Sequence, residues 1–165
     1  MLFSGPSGAA ELSAGDAAPA FALADQNGQL QRLEDYRGRW LVLYFYPKDD
    51  TPGCTKEACS LRDEFAVFRE REVAVLGMSL DDTGSHHAFA RKYRLPFPLL
   101  SDVGGEVAKA YGSLGGFGPI RYAKRHTFII DPQGRIARVW RKVSPARHAD
   151  ELLNALTALR QGSSD

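Results

Sequence analysis

Trp40-Leu41-Val42-Leu43-Tyr44-Phe45-Tyr46-Pro47 is followed, four residues after the proline, by Thr51-Pro52-Gly53-Cys54. The first seven residues form a continuous apolar run rich in β-formers, and Pro47 stops it. An apolar run without polar alternation predicts a strand buried on both faces, at the centre of a sheet covered by helices. Thr51 as N-cap and Pro52 at the first helical position are start signals for a helix. From there Cys54, Ala58, Leu61, Phe65 and Phe68 recur at spacings of four and three, one amphipathic stripe. A buried strand feeding directly into an amphipathic helix is the basic unit of an α/β fold.

Working outward, residues 73–80 make a second apolar run and residues 126–130 a third. The turn Asp131-Pro132-Gln133-Gly134 then leads into residues 135–142, which predicts a hairpin. Residues 21–24 are a short first strand closed by Asp25-Gln26-Asn27-Gly28. Residues 85–94 and 105–111 read as short helices. Residues 147–160, with Leu152, Leu153, Leu156 and Leu159, read as a C-terminal amphipathic helix. The expected class is α/β, a three-layer sandwich with a central sheet flanked by helices; the pattern leaves the strand order open. Residues 1–17, rich in Gly, Ser, Ala and Pro, are expected to be a loose lead-in, and residues 18–165 a single domain.

With 165 residues the chain suffices for one well-buried domain and is short for two. Its 21 basic and 20 acidic residues nearly cancel, so no basic patch argues for nucleic acid. No apolar run approaches a membrane span, and the N-terminal residues lack the basic and apolar regions of a secretory signal. A cytoplasmic protein is expected. Two cysteines are too few for a disulfide scaffold, and sparse cysteines in that setting are more often catalytic or redox-active.

Those two cysteines are Cys54 and Cys59. A thiol in the first turn of a helix faces unpaired N–H groups and the positive end of the macrodipole, which favour the thiolate. Thr51 places a hydroxyl one turn earlier, and Pro47 turns the chain so that it shields the sulfur on one side. Free cysteine is also a common inert core residue, so spacing alone supports packing as well as reactivity. The helix start tips the reading toward a nucleophile. If both cysteines share an intact helix, their Cα atoms stand roughly 8–9 Å apart and their side chains point about 140° apart. A disulfide needs Cα atoms within about 7 Å, so such a bond would require the first turns to unwind. Gly53 would ease that motion.

Other residues suggest chemistry less strongly. His86 and His87 with two cysteines are a poor match to zinc-ligand spacing; they are expected on or beside a surface helix, facing apart. Gly112-Ser113-Leu114-Gly115-Gly116-Phe117-Gly118 is not a phosphate loop of recognised form and reads as a flexible surface loop. Asp49 and Asp50 are expected to be solvated in a loop. Trp40, Phe45 and Trp140 read as packing residues.

The stretch Tyr44-Phe45-Tyr46-Pro47-Lys48-Asp49-Asp50-Thr51-Pro52-Gly53-Cys54-Thr55-Lys56-Glu57-Ala58-Cys59 resembles the active-site segment of the peroxiredoxins, in particular the bacterioferritin comigratory protein or Q-type branch. Pro47, Thr51 and Cys54 meet the pattern Pro-x-x-x-Thr-x-x-Cys, and Cys59 stands where that branch carries its second cysteine. The similarity runs from about residue 18 to the C-terminal helix, through Leu95-Pro96-Phe97-Pro98-Leu99-Leu100-Ser101-Asp102 and Arg125-His126-Thr127-Phe128-Ile129-Ile130-Asp131.

The resemblance implies a thioredoxin-like fold with a mixed sheet and an atypical two-cysteine thiol peroxidase. Cys54 would attack hydrogen peroxide or an alkyl hydroperoxide and become a sulfenic acid. Arg125 would hold the thiolate ionised, and Thr51 would orient sulfur and peroxide, with the Cys54 N–H as a further donor. Cys59 would resolve the sulfenic acid as an intramolecular disulfide, reduced in turn by a thioredoxin-type donor. Phe117 could touch an alkyl group or a docking reductase. Neither metal nor organic cofactor is called for, because sulfur carries the chemistry, and a monomer is implied. Two alternatives share the oxidation event or the fold: a peroxide-sensing interaction protein, and a thiol–disulfide oxidoreductase. The latter normally carries Cys-x-x-Cys, which this chain lacks.

Overall fold

The computed structural model describes residues 11–162; residues 1–10 of the expected lead-in lie outside them. A five-stranded sheet organises the chain. Its members are β3 (Trp40–Phe45), β4 (Val73–Ser79), β5 (Leu99–Ser101), β8 (Thr127–Ile130) and β9 (Ile136–Trp140), in the order β5-β4-β3-β8-β9. β3 pairs parallel with β4 and antiparallel with β8; β4–β5 is parallel and β8–β9 antiparallel. The sheet is mixed and β3 is its centre, as the uninterrupted apolar run predicts.

Side chains of a strand alternate between faces, and β3 feeds two cores. Val42 and Tyr44 join Phe68, Phe89, Leu152 and Leu156 on one side. These come from α2 (Phe65–Glu70), α3 (Thr83–Tyr93) and α5 (His148–Gly162), and α1 (Pro52–Asp63) adds Cys54, Ala58 and Leu61. Leu41, Leu43 and Phe45 face the other side, with Phe21, Leu33, Met78 and Phe128. That layer is closed by α4 (Glu106–Ala110) and by the small hairpin of β1 (Ala22–Ala24) and β2 (Leu30–Arg32). The result is the thioredoxin-like α/β sandwich expected.

Four features differ from the sequence reading. The stripe of residues 54–68 is two helices, α1 and α2, broken at Glu64 (φ −102°, ψ 8°). The bend keeps Leu61 and Phe68 buried and leaves Phe65 half-buried. The glycine-rich segment is not a loop: β6 (Leu114–Phe117) pairs antiparallel with β7 (Ile120–Ala123). Gly116, within β6 opposite Arg121, has φ +135°, and a Cβ there would run into the Ile120 carbonyl, so the hairpin needs a glycine at that strand position. Phe117 at its tip is exposed. The described part of the lead-in is tied down, because Gly15 N–H donates to the Ile136 carbonyl and the Ile136 N–H to Asp16, which covers the edge of β9. At the opposite edge the Gln26 side chain pairs with the Leu99 N–H and the Phe97 carbonyl, closing β5 in the same way. Finally, His86 and Asp49 are buried rather than at the surface.

Candidate active site

β3 and β4 run parallel, so the C-terminal ends of both strands, and the residues that follow them, emerge on one edge of the sheet. That edge is where α/β proteins build their sites. After β3 the chain passes Tyr46 and the half-buried Pro47, crosses residues 48–50, and enters α1 at Pro52. Thr51 is the N-cap in extended conformation (φ −98°, ψ 157°), as expected, but its hydroxyl does not cap the helix. It donates to the Lys48 carbonyl at 2.8 Å, which leaves its lone pairs free to accept. The first intrahelical bond is Thr55 N–H to Thr51 C=O at 2.8 Å, so the N–H groups of Gly53 and Cys54 remain free to receive an anion.

Cys54 is buried and Cys59 half-buried; both are free thiols, and both lie on α1. The Cys54 sulfur receives a hydrogen bond from Arg125 Nη2 at 3.3 Å. Arg125 sits just before β8, and the β3–β8 pairing brings it across the sheet to the start of α1. Gly53 makes this approach possible: a Cβ there would stand 3.0 Å from Arg125 Nη2. Of the five sequence-predicted site residues, Thr51, Cys54 and Arg125 therefore converge on the first turn of α1, Pro47 shapes the loop before it, and Cys59 stands one and a half turns along.

Glu57 was not anticipated. It is fully buried, and its Oε1 accepts from Arg125 Nη1 at 2.9 Å. Its Oε2 has no hydrogen-bond partner among the described residues, and neither has the buried Tyr44 hydroxyl. Burial pushes the Glu57 carboxyl up to about 7 even though Arg125 pulls it down. Burial would by itself lower the Arg125 pKa, but the neighbouring Cys54 and Glu57 outweigh it and raise the value. One fixed cation thus serves two acids, a thiol and a carboxyl. The signal for Glu57 was its spacing: three residues after Cys54 and beside Ala58, it falls on the apolar face of α1, where a charge needs a buried partner.

The two histidines of α3 face different partners. His87 is exposed and lies 3.3 Å from the Gln26 carbonyl, whereas His86 is buried and lies 2.7 Å from Asp49. Trp40 and Trp140 pack against the helical core and Phe45 is buried in the other, as expected. No helix among the described residues is long and apolar enough to cross a membrane.

Known proteins share this sequence and fold. The profile of the AhpC/TSA family matches residues 14–139. The chain is 43% identical over 149 residues to the putative peroxiredoxin bcp of Coxiella burnetii, covering 88% of this chain and 99% of that one. It is 42% identical over 152 residues to the chloroplastic peroxiredoxin Q of Populus jackii, covering 91% of this chain and 70% of the other. The crystal structure of peroxidoxin BcpB from Mycobacterium tuberculosis superposes with a TM-score of 0.85 at 38% identity, over 91% of this chain and 99% of that one. The chain belongs to the AhpC/TSA family, in its peroxiredoxin Q or bcp branch, and is a thiol peroxidase.

Proposed function

We propose that Cys54 is the peroxide-attacking residue and that the cycle closes through Cys59. The observation that carries this reading is the Arg125 guanidinium, which bridges the Cys54 sulfur at 3.3 Å and the Glu57 carboxyl at 2.9 Å. A fixed cation on a thiol at a helix N-terminus favours the thiolate. Hydrogen peroxide or an alkyl hydroperoxide enters over the first turn of α1, where the Cys54 N–H donates to it and the Thr51 hydroxyl accepts from it. The sulfur lone pair attacks one peroxide oxygen and the O–O bond breaks. Sulfur is oxidised to the sulfenic acid, and the other oxygen leaves as hydroxide or alkoxide, taking up a proton to become water or an alcohol. Arg125 and the helix N–H groups lie where negative charge moves from sulfur onto the departing oxygen.

Resolution follows as the Cys59 thiolate attacks the sulfenic sulfur, forming the S–S bond as the S–O bond breaks and releasing hydroxide, which takes up a proton from solvent to become water. Both cysteines lie on one helix, so this step unwinds the first turns of α1. A thioredoxin-type dithiol then reduces the bond by exchange. Cys54→Ser should abolish peroxide consumption, and a variant that kept full activity would end the proposal. Cys59→Ser should still form the sulfenic acid yet fail to turn over with thioredoxin. Mass spectrometry of peroxide-treated protein should find a Cys54–Cys59 bridge, and its absence would refute the intramolecular step while leaving the peroxidase itself standing.

A further inference from the structure

We infer that Asp49 and His86 are a positioning pair, which fixes the loop before α1 and so sets where Thr51 and the first turn of the helix stand. The inference rests on the reading of Cys54 as the attacking thiolate.

Asp49 lies five residues before Cys54 and both its oxygens are used. Oδ1 accepts from the Tyr46 hydroxyl at 2.6 Å; Oδ2 accepts from Ser85 Oγ at 2.8 Å and stands 2.7 Å from His86 Nδ1. The Asp49 N–H donates to Asp81 Oδ2 at 2.8 Å, and Asp81 also accepts from Ser79 Oγ. His86 Nε2 lies 2.9 Å from the Leu100 carbonyl oxygen. That carbonyl can only accept, so Nε2 donates to it, and this orientation turns Nδ1 toward the Asp49 carboxylate. One residue of the loop is thereby joined through its side chain to α3 and, by way of His86, to β5, and through its backbone N–H and Asp81 to the end of β4. Both partners are buried, with side-chain exposures of 3% for Asp49 and 0% for His86.

The next residue repeats the grip at the surface. Asp50 accepts from Tyr93 Oη and from Lys92 Nζ, each at 2.9 Å, and both donors belong to the last turn of α3. Asp50 also has φ +59°, a conformation that a residue with a side chain adopts only when its surroundings enforce it. Beyond Asp50 the side-chain bonds to α3 and the strand ends stop: the Thr51 hydroxyl bonds back to Lys48, and α1 is held instead by Arg125 on Cys54 and Glu57. The boundary between the segment tied to α3 and the strand ends and the helix that unwinds in the proposed cycle falls between Asp50 and Thr51. Thr51 touches the peroxide in the reading above; Asp49 and His86 touch neither peroxide nor sulfur and act through the loop.

A positioning role predicts a split between two reactions of one thiol. Alkylation of Cys54 by iodoacetamide needs the thiolate but no alignment by Thr51, whereas the peroxide reaction needs both. Asp49→Ala should slow Cys54 oxidation by hydrogen peroxide roughly 100-fold, the effect of an ångström-scale misplacement, and change the alkylation rate less than about 3-fold. In Asp49→Asn the amide oxygen can accept from Tyr46 and the amide N–H can donate to a neutral His86 Nδ1, so this variant should recover most of the oxidation rate. If Asp49→Ala does not fold, His86→Gln carries the same test, because it retains a donor for Leu100 and loses the one for Asp49. A folded Asp49→Ala or His86→Gln that reacts with peroxide at the parent rate overturns the inference. So does one that loses both reactions by the same factor, which would mark a merely structural contact. Failure of the Cys54 reading would show differently, as a Cys54→Ser protein that still consumes peroxide.

Discussion

Two buried carboxylates flank Cys54, the proposed attacking thiol, Asp49 five residues before it and Glu57 three residues after it, and they are treated in opposite ways. Asp49 has partners on both oxygens and on its backbone N–H, from Tyr46 in its own loop, from the loop after β4 and from α3. Among the described residues the Glu57 carboxyl has a single hydrogen-bond partner, Arg125, and its second oxygen has none. Burying a carboxylate without full compensation shifts its protonation, and here the Glu57 carboxyl rises to about 7. A satisfied network makes geometry rigid, and a half-satisfied one makes charge responsive. The first carboxylate holds the loop still; the second shares a cation with the sulfur and feels every change in that cation's surroundings.

The strongest way to break this contrast is to remove the shared cation. Arg125→Ala should slow peroxide reduction by about 10²–10³-fold, the usual cost of losing a charged donor at a developing anion. Unlike the Asp49 variants, it should slow iodoacetamide alkylation as well, because the thiolate itself loses its counter-charge. Stopped-flow oxidation and alkylation rates on the same sample check both. An Arg125→Ala protein with normal alkylation would mean that Arg125 acts by geometry alone and that the contrast is drawn in the wrong place.

Glu57→Gln sharpens the other arm. The folded protein holds the Glu57 proton more tightly than the unfolded chain, whose value is near 4.5, against about 7 in the fold. Below about 4.5 both states are protonated and Glu57 contributes no pH dependence. As the pH rises, the unfolded chain ionises first and the fold loses stability, reaching a plateau above 7 on the order of 3 kcal/mol lower. Glutamine mimics the neutral acid, so Glu57→Gln should equal the parent near pH 4.5 and become progressively more stable than it up to about pH 8. Urea denaturation at both ends of that window measures the gap. A gap independent of pH would show that Glu57 does not titrate there.

What the sequence made legible follows the range of the signals. β3, the N-cap Thr51, Pro52 and the placement of Cys54 are local, and each has a short-range cause that can be read in a window of a dozen residues. That both cysteines share one helix follows from the same stripe, and with it the need to unwind. Arg125 stood out through resemblance alone: it lies 71 residues from Cys54 in sequence and is delivered by an antiparallel strand pair that no periodicity reveals. Asp49 and His86 escaped for the same reason, being 37 residues apart and meeting where β3, β4 and β5 end. Read locally, adjacent acids in a loop look solvated and a histidine pair on a short helix looks superficial; only the sheet order makes them core. The β6–β7 hairpin was hidden because its glycines, one of them required by the close approach of the two strands, are also the mark of a flexible loop.

The smallest effect is expected at Gly53, and it tests both arms together. A Cβ at this position would stand 3.0 Å from Arg125 Nη2 and 3.6 Å from its Cζ. Nη2 is the atom that donates to the Cys54 sulfur, whereas the bond to Glu57 comes from Nη1. Gly53→Ala should therefore push the guanidinium off the sulfur by a few tenths of an ångström and leave its grip on Glu57. Alanine also favours the helix over glycine by up to about 1 kcal/mol, which stiffens the turn that must open for the disulfide. Cys54 oxidation should slow about 3- to 10-fold, the modest loss of a weakened rather than deleted donor. Disulfide closure should slow as well, as a separate phase, by up to about 5-fold if the alanine preference must be overcome during unwinding. The pH dependence of stability should match the parent, because Glu57 keeps its partner. A Gly53→Ala protein with altered pH dependence and a normal oxidation rate would reverse the assignment of the two guanidinium nitrogens, giving Glu57 rather than the sulfur the contact that Gly53 protects.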